Sequence, residues 1–177
     1  MLFDRIEAIK KYIFENGENN FYISFSGGKD STILHYLVDE AIPDNNIPRV
    51  FINTGIEYKM IVEFIHDLMS KDSRIIEIKP KTAIKLMLEK YGYPFKSKEH
   101  SKKLNLYQRG SSCNWLINYL DDNILSKFKC PKVLKYQFNN DFKLNISDKC
   151  CNKLKKQPAS KWEKENNRNI VITGMRI

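Results

Sequence analysis

Several absences narrow the field before any motif is read. No apolar run approaches the ~20 residues that cross a bilayer, and Met1-Leu2-Phe3-Asp4-Arg5-Ile6-Glu7 places charges where a secretory leader needs an apolar core. Both absences point to a soluble cytoplasmic protein with no membrane partner. Internal repeats and low-complexity tracts are missing, which excludes solenoid architectures, and the lack of a linker argues for a single domain over 1–177. Acidic residues are in short supply, 21 against 30 Lys and Arg, giving a net charge of +9. That imbalance implies anionic partners, nucleotide phosphates first and RNA or DNA as a further class. Cysteines number four, Cys113, Cys130, Cys150 and Cys151, and in a reducing compartment they favour thiol or metal chemistry over disulfides.

What is present has a clear rhythm. Leu2, Phe3, Ile6, Ile9 and Ile13 share a helical face that Gly17 ends. Phe21 to Phe25 reads as a buried strand, and Ile33, Leu34, Leu37 and Ala41 as the next helix. Arg49 to Asn53 and Arg74 to Ile78 read as further strands. Helices follow, one with Ile61, Val62, Ile65 and Leu68, the next capped by Thr82 and carrying Ile84, Leu88 and Tyr91. Trp115, Leu116, Tyr119, Leu120 and Ile124 give another helix, the text from Phe128 to Ser147 has a weak pattern, and Asn169 to Thr173 is a last strand. Strands alternating with helices predict a doubly wound parallel α/β sheet, Rossmann-like, with an extra helical region around 95–165.

The most informative stretch is Ser26-Gly27-Gly28-Lys29-Asp30-Ser31, followed by Thr32, at the turn from first strand to helix. Glycines at such a turn admit positive torsions and let a ligand reach the main chain. The helix's first amides are unpaired donors with positive partial charge, and the hydroxyls of Ser26, Ser31 and Thr32 add donors. The chemistry is that of a phosphate cradle, with a capped tight turn as the bland alternative. It is not a Walker loop, since no glycine precedes Gly28 at the needed spacing and Asp30 follows Lys29, and GxGxxG is missing. In parallel sheets ligands sit at the carboxyl ends of the strands, so Asn53-Thr54-Gly55-Ile56-Glu57-Tyr58 is expected to face the same cleft.

The six-residue run resembles the SGGxDS pyrophosphate loop of the adenine-nucleotide α-hydrolase (PP-loop ATP pyrophosphatase) group, whose members bind ATP or a nucleotide made from it and act at the α-phosphate. Asn53-Thr54-Gly55 resembles the DTG segment of phosphoadenylyl-sulfate (PAPS) reductases, with Asn in place of Asp, which removes a carboxylate suited to magnesium. Cys150-Cys151-Asn152-Lys153 onward is similar to the Cys-Cys element near the substrate site of reductase-like members, and Thr173-Gly174-Met175-Arg176 to their TG-x-R loop. Ser97-Lys98-Glu99 resembles a short element of such members. The likeness runs from Phe21 to Arg176 and implies a chain that stops short of its relatives at Ile177.

That resemblance implies a PAPS reductase-like oxidoreductase, or an ATP pyrophosphatase that adenylates an acceptor and transfers sulfur to it. A nucleotide-binding module without chemistry is the reading from another class. Binding is expected from Ser24, Ser26, Gly27, Gly28, Lys29, Asp30, Ser31, Thr32, Asn53, Thr54, Gly55, Lys153 and Gly174. Catalytic roles are expected for Lys29, Asp30, Lys98, Cys150, Cys151 and Arg176, the cations neutralising charge that grows on phosphate or sulfate. Asp30 orients Lys29 or a magnesium ion. An iron-sulfur cluster is not expected, because no later Cys-x-x-Cys joins the pair, and no metal ligand is assigned. Partners implied are a thiol reductant such as thioredoxin, a nucleic-acid or small-molecule acceptor and a second copy of the chain. Lys96, Lys98, Lys102, Lys103 and Arg109 line a channel or form a solvated face, and His100 is either a base or a packing residue.

Overall fold

Four short strands, β1 (Phe21–Ser24), β2 (Arg49–Ile52), β3 (Ile75–Ile78) and β4 (Ile170–Ile172), form one sheet in the order β3-β2-β1-β4. All pairs are parallel, with Ile23 opposite Arg49, Val50 opposite Ile76 and Tyr22 opposite Val171. The structure is a computed structural model that describes residues 2–123 and 129–174. The chain divides into two units, Met1–Lys81 with Leu154–Ile177, and Thr82–Lys153. The extra helical region expected around 95–165 corresponds to the second unit, while the last helix goes with the sheet. Among the described residues, no helix is long and apolar enough to cross a membrane.

In the first unit, alternate residues of β1 are buried on opposite faces, which is why the strand reads as an unbroken apolar run. Phe21 and Ile23 pack on Ile13 of α1 (Leu2–Asn16) and on Leu34 and Val38 of α2 (Lys29–Ala41). Phe25 and Phe51 pack on Ile65 of α3 (Lys59–Met69). Tyr22 and Val50 cover the other face with Trp162 of the last helix (Gln157–Asn166), and the Tyr22 and Trp162 rings lie 5.2 Å apart. The sheet therefore carries helices on both sides.

The buried stripe of α2 differs from the expected one. Ser31, Leu34, His35, Val38 and Ala41 face inward, while Ile33 is 48 % exposed. The helix turns this way because His35 and Asp39 complete a polar cluster beneath β2. Arg49, wholly buried, donates from Nε to His35 Nδ1 at 3.0 Å, from Nη2 to Asp39 Oδ1 at 2.6 Å, and from Nη1 to Asn45 and the Ile47 carbonyl. Arg74 donates to Asp39 and to Asp72, each at 2.8 Å in its shortest contact. Hydrogen bonds from Arg74 pull the Asp72 carboxyl down to about 2. Burial would raise Asp39, but the bonds from Arg74 and Asn45 and the Arg49 charge hold it below the usual carboxylate range. Burial and then the Arg49 charge keep His35 lowered, hence neutral, as its acceptor role at Nδ1 requires.

The second unit contains α4 (Ile84–Tyr91), α5 (Lys98–Gln108), α6 (Asn114–Leu120) and a 3-10 turn at Lys132–Gln137. Thr82 does not cap α4; the cap position is Ala83, without a side-chain bond, whereas Ser97 Oγ caps α5 by accepting from the His100 amide at 3.1 Å. His100 is a packing residue, buried between Tyr119 Oη at 2.9 Å and Gln137 Oε1 at 2.7 Å, with the Phe138 ring edge-on at 5.6 Å. Lys103 also departs from the charged-surface reading. It is buried, bonded to Glu99 at 2.6 Å, with its ammonium 3.8 Å from the centre of the Tyr119 ring. Desolvating that cation is offset by one carboxylate and one aromatic face. Ile124, assigned to the α6 pattern from sequence, lies outside the described residues.

Candidate functional site

The Ser26–Ser31 loop sits where β1 hands over to α2, and the strand order reverses between β1 and β4, the place where doubly wound sheets bind ligands. Among the described residues, the amides of Gly27, Lys29, Asp30 and Ser31 have no acceptor, the first internal bond of α2 running from Thr32 N to the Gly28 carbonyl at 3.0 Å. Four donors at a helix N-terminus are thus left without a protein acceptor, and Lys29 and Asp30 are exposed beside them. Gly27 has φ +68°, and a Cβ there would lie 2.6 Å from Ile65 Cδ1, so the turn and the packing of α3 both demand glycine. Gly28 has an ordinary φ of −80° and only Ser26 Oγ near its missing side chain, at 3.4 Å. Its lack of a Cβ leaves room above the amides rather than relieving strain.

Two of the hydroxyls assigned to phosphate are used by the loop itself. Ser31 Oγ and Thr32 Oγ1 donate to the Gly28 carbonyl at 2.9 and 3.0 Å, and Ser31 is buried. They hold the cradle open; Ser26 Oγ, 3.1 Å from Ser31 Oγ, lies at the exposed rim, and Ser24 is exposed at the end of β1.

The loop after β2 is closed on itself. Asn53 Nδ2 donates to Glu77 at 2.7 Å and its Oδ1 accepts the Gly55 amide at 3.0 Å. Glu57, absent from the sequence-based candidates, folds back to accept the amides of Thr54, Gly55 and Ile56 and the Thr54 hydroxyl, at 2.8 to 3.3 Å. Burial works against the charge, yet these bonds hold Glu57 below its ordinary value. Only the Glu three residues after Thr54 signalled this, since that spacing suits a side chain reaching back to amides. Gly55, with φ +85° and open space at its Cβ position, is the exposed point of that loop.

Gly174, after β4, is fixed by close approach: a Cβ would lie 2.8 Å from the Asp30 carbonyl oxygen. A cavity of about 800 Å³ opens beside this contact, walled by Ile9 and Tyr12 of α1, Ile33 and Asp30 of α2, and Thr173 and Gly174. Gly174→Ala is expected to push the loop after β4 off Asp30, with a stability loss of about 1–3 kcal/mol that denaturant unfolding checks. Arg176 lies outside the described residues.

The remaining candidates belong to the second unit. Lys98, Cys150 and Cys151, far apart in sequence, line one cavity of about 320 Å³ with Phe95, Lys96 and Asp148. The cysteines open a helical stretch that continues as a π-helix at Asn152–Lys156, and Lys153 Nζ lies 4.8 Å from the centre of the Tyr91 ring. All four cysteines are free. Cys113 is exposed at the head of α6, and Cys130 is buried, its thiol raised by burial despite a contact with Tyr119.

The metal-capable grouping that does occur is His35, Asp39 and Asp72. Arg49 and Arg74 already take its carboxylate oxygens, and an ion has no place there. At the phosphate loop Asp30 is the carboxylate to hand, which fits a magnesium ion held mainly by a nucleotide's own phosphates and water.

Comparison with known proteins agrees with this geometry. Residues 20–123, which include the phosphate loop and the loop after β2, match the model of the phosphoadenosine phosphosulfate reductase domain. An uncharacterized protein of Methanocaldococcus jannaschii is 36% identical over 94 residues, 51% of this chain and 22% of that protein. The chain thus spans about a fifth of the length of that relative. Strand order, loop chemistry and the matched span lead to one statement: the chain belongs to the phosphoadenosine phosphosulfate reductase domain family.

Proposed function

We propose that the chain is a nucleotide-dependent enzyme of sulfur chemistry that binds ATP or phosphoadenylyl sulfate through its phosphates at Ser26–Ser31. The observation that carries this reading is the row of amides without a protein acceptor at Gly27, Lys29, Asp30 and Ser31, with Lys29 exposed beside them at the β1/β4 reversal. Donors fixed in advance by the fold stabilise negative charge as it grows on a phosphate or sulfate, without reorganisation at the moment of reaction. Lys29 adds a mobile full charge, and Asp30 orients it or a magnesium ion carried by the nucleotide. Ser31 and Thr32 act by shaping the loop.

A second reading, adenylation of an acceptor followed by sulfur transfer, is favoured by the cavity that places Cys150 and Cys151 beside Lys96 and Lys98. Calorimetry of ATP and phosphoadenylyl sulfate on one preparation, with and without magnesium, tests the common part. Lys29→Ala is expected to weaken the preferred nucleotide at least tenfold while unfolding stability stays within about 0.5 kcal/mol, since the side chain is exposed. Unchanged affinity would remove Lys29 from the site. Sulfite release with a dithiol such as thioredoxin supports the reductase reading, pyrophosphate release with an acceptor supports the second, and binding without either product reduces the chain to a nucleotide-binding module.

A further inference from the structure

We propose that the second unit, Thr82–Lys153, carries a binding surface for single-stranded nucleic acid. The charge of the chain is segregated. Thr82–Lys153 holds 14 Lys and Arg against 6 Asp and Glu, so +8 of the total +9 resides in this unit. Within it, three ammonium groups gather on one ring: Lys90, Lys149 and Lys153 lie 5.5, 5.5 and 4.8 Å from the centre of Tyr91. None of the three is in an ion pair among the described residues, nor are Lys96 and Lys98. Three unpaired cations around one ring make a local positive field that attracts an external anion.

The ring cluster and the Lys96/Lys98 cavity are joined by the chain itself, because Lys149 stands between Asp148 and Cys150, both of which line the cavity. Tyr93 and Phe95, 40% and 38% exposed, follow Tyr91 on the same connecting segment. Cations interspersed with the part-exposed rings of Tyr93 and Phe95 suit a strand whose bases are free to stack and whose phosphates need neutralising. A duplex hides its base faces, so the surface selects single strands. This surface uses no residue of the Ser26–Ser31 loop, though it shares Lys98 and Lys153 with the residues the resemblance assigns to nucleotide and catalysis.

Fluorescence anisotropy of the full chain with labelled 20-mers of RNA and DNA, single-stranded and duplex, tests it over a salt series. Charge reversal at Lys90, Lys149 and Lys153 (K90E/K149E/K153E) is expected to weaken single-strand binding at least tenfold. It should also lower the slope of log affinity against log salt by about 2, as loss of roughly three phosphate contacts requires. The matched reversal K10E/K71E/K164E in the first unit changes net charge equally and is expected to stay within twofold. RNA bound more tightly than DNA, or the reverse, identifies the strand type within the proposal. Equal weakening by both reversals, duplex bound as tightly as single strand, or displacement of the oligomer by phosphatidylserine vesicles would overturn it.

Discussion

Replacing Gly27 by alanine is expected to abolish nucleotide binding and to destabilise the first unit by roughly 2–5 kcal/mol. A residue with a side chain is strained at φ +68°, by about 1–2 kcal/mol. The added methyl also meets Ile65 at 2.6 and 2.8 Å and Ile61 at 3.0 Å, and overpacking of that kind costs about 1–3 kcal/mol. Ile65 is fully buried against Phe25, Phe51 and Ile75, so relief must come from moving the loop. Gly28→Ala is the informative contrast. Its φ of −80° suits alanine and its nearest neighbour is the mobile Ser26 Oγ, so stability should change by less than about 0.5 kcal/mol. The methyl would nonetheless stand where a phosphate approaches the amides. Binding lost with stability kept, read by calorimetry beside urea unfolding, is the signature of a cradle at this loop; normal binding by Gly28→Ala would place the phosphates elsewhere.

The second large effect is expected at Arg49, which touches no ligand. Arg49→Ala leaves a cavity under β2, strips the His35 ring of its donor and removes one of the two cations facing Asp39. Breaking a buried pair in this way costs about 3–5 kcal/mol, and urea unfolding should show the midpoint falling accordingly. The same cluster sets a pH dependence. The folded pKa of His35 is lowered, as is that of His100, so the unfolded chain binds more protons and stability falls as pH drops below about 6.5. Asp39 and Asp72 are also lowered, Asp72 to about 2, so their contribution is complete above about pH 4 and is lost as pH falls from there to about 2. A two-stage acid loss is expected in wild type, and Arg49→Ala should blunt the lower stage because Asp39 then has one guanidinium partner fewer. An acid profile identical to wild type would show that Arg49 does not hold Asp39 in its charged form.

Much of the fold follows from local pattern. The apolar run at Phe21, the helix stop at Gly17 and the strand-helix alternation through Ile78 each rest on neighbours in sequence, and each element forms within a residue or two of its expected place. The turn at Ser26–Ser31 was legible as a strand-to-helix junction for the same reason, since its glycines and the following helix are read from adjacent residues. Roles that depend on distant partners were not. His100 and Lys103 are interior because Tyr119, Trp115 and Gln137 come to meet them, and Ile33 faces outward because Arg49 claims His35 on the adjoining face of α2. Glu57 was overlooked because its bonds go to a turn whose shape exists only once Asn53 is tied to Glu77.

By itself, the order of residues determined the parallel α/β class, the glycine turn between the first strand and its helix and the excess of positive charge, because each is a property of a short segment or of a sum. Only the tertiary structure decided that β4 pairs with β1, that Gly174 presses on Asp30, that Lys98 shares a cavity with Cys150 and Cys151, and that three lysines converge on Tyr91. Contacts between residues tens of positions apart depend on how the whole chain packs, and no local pattern carries that information.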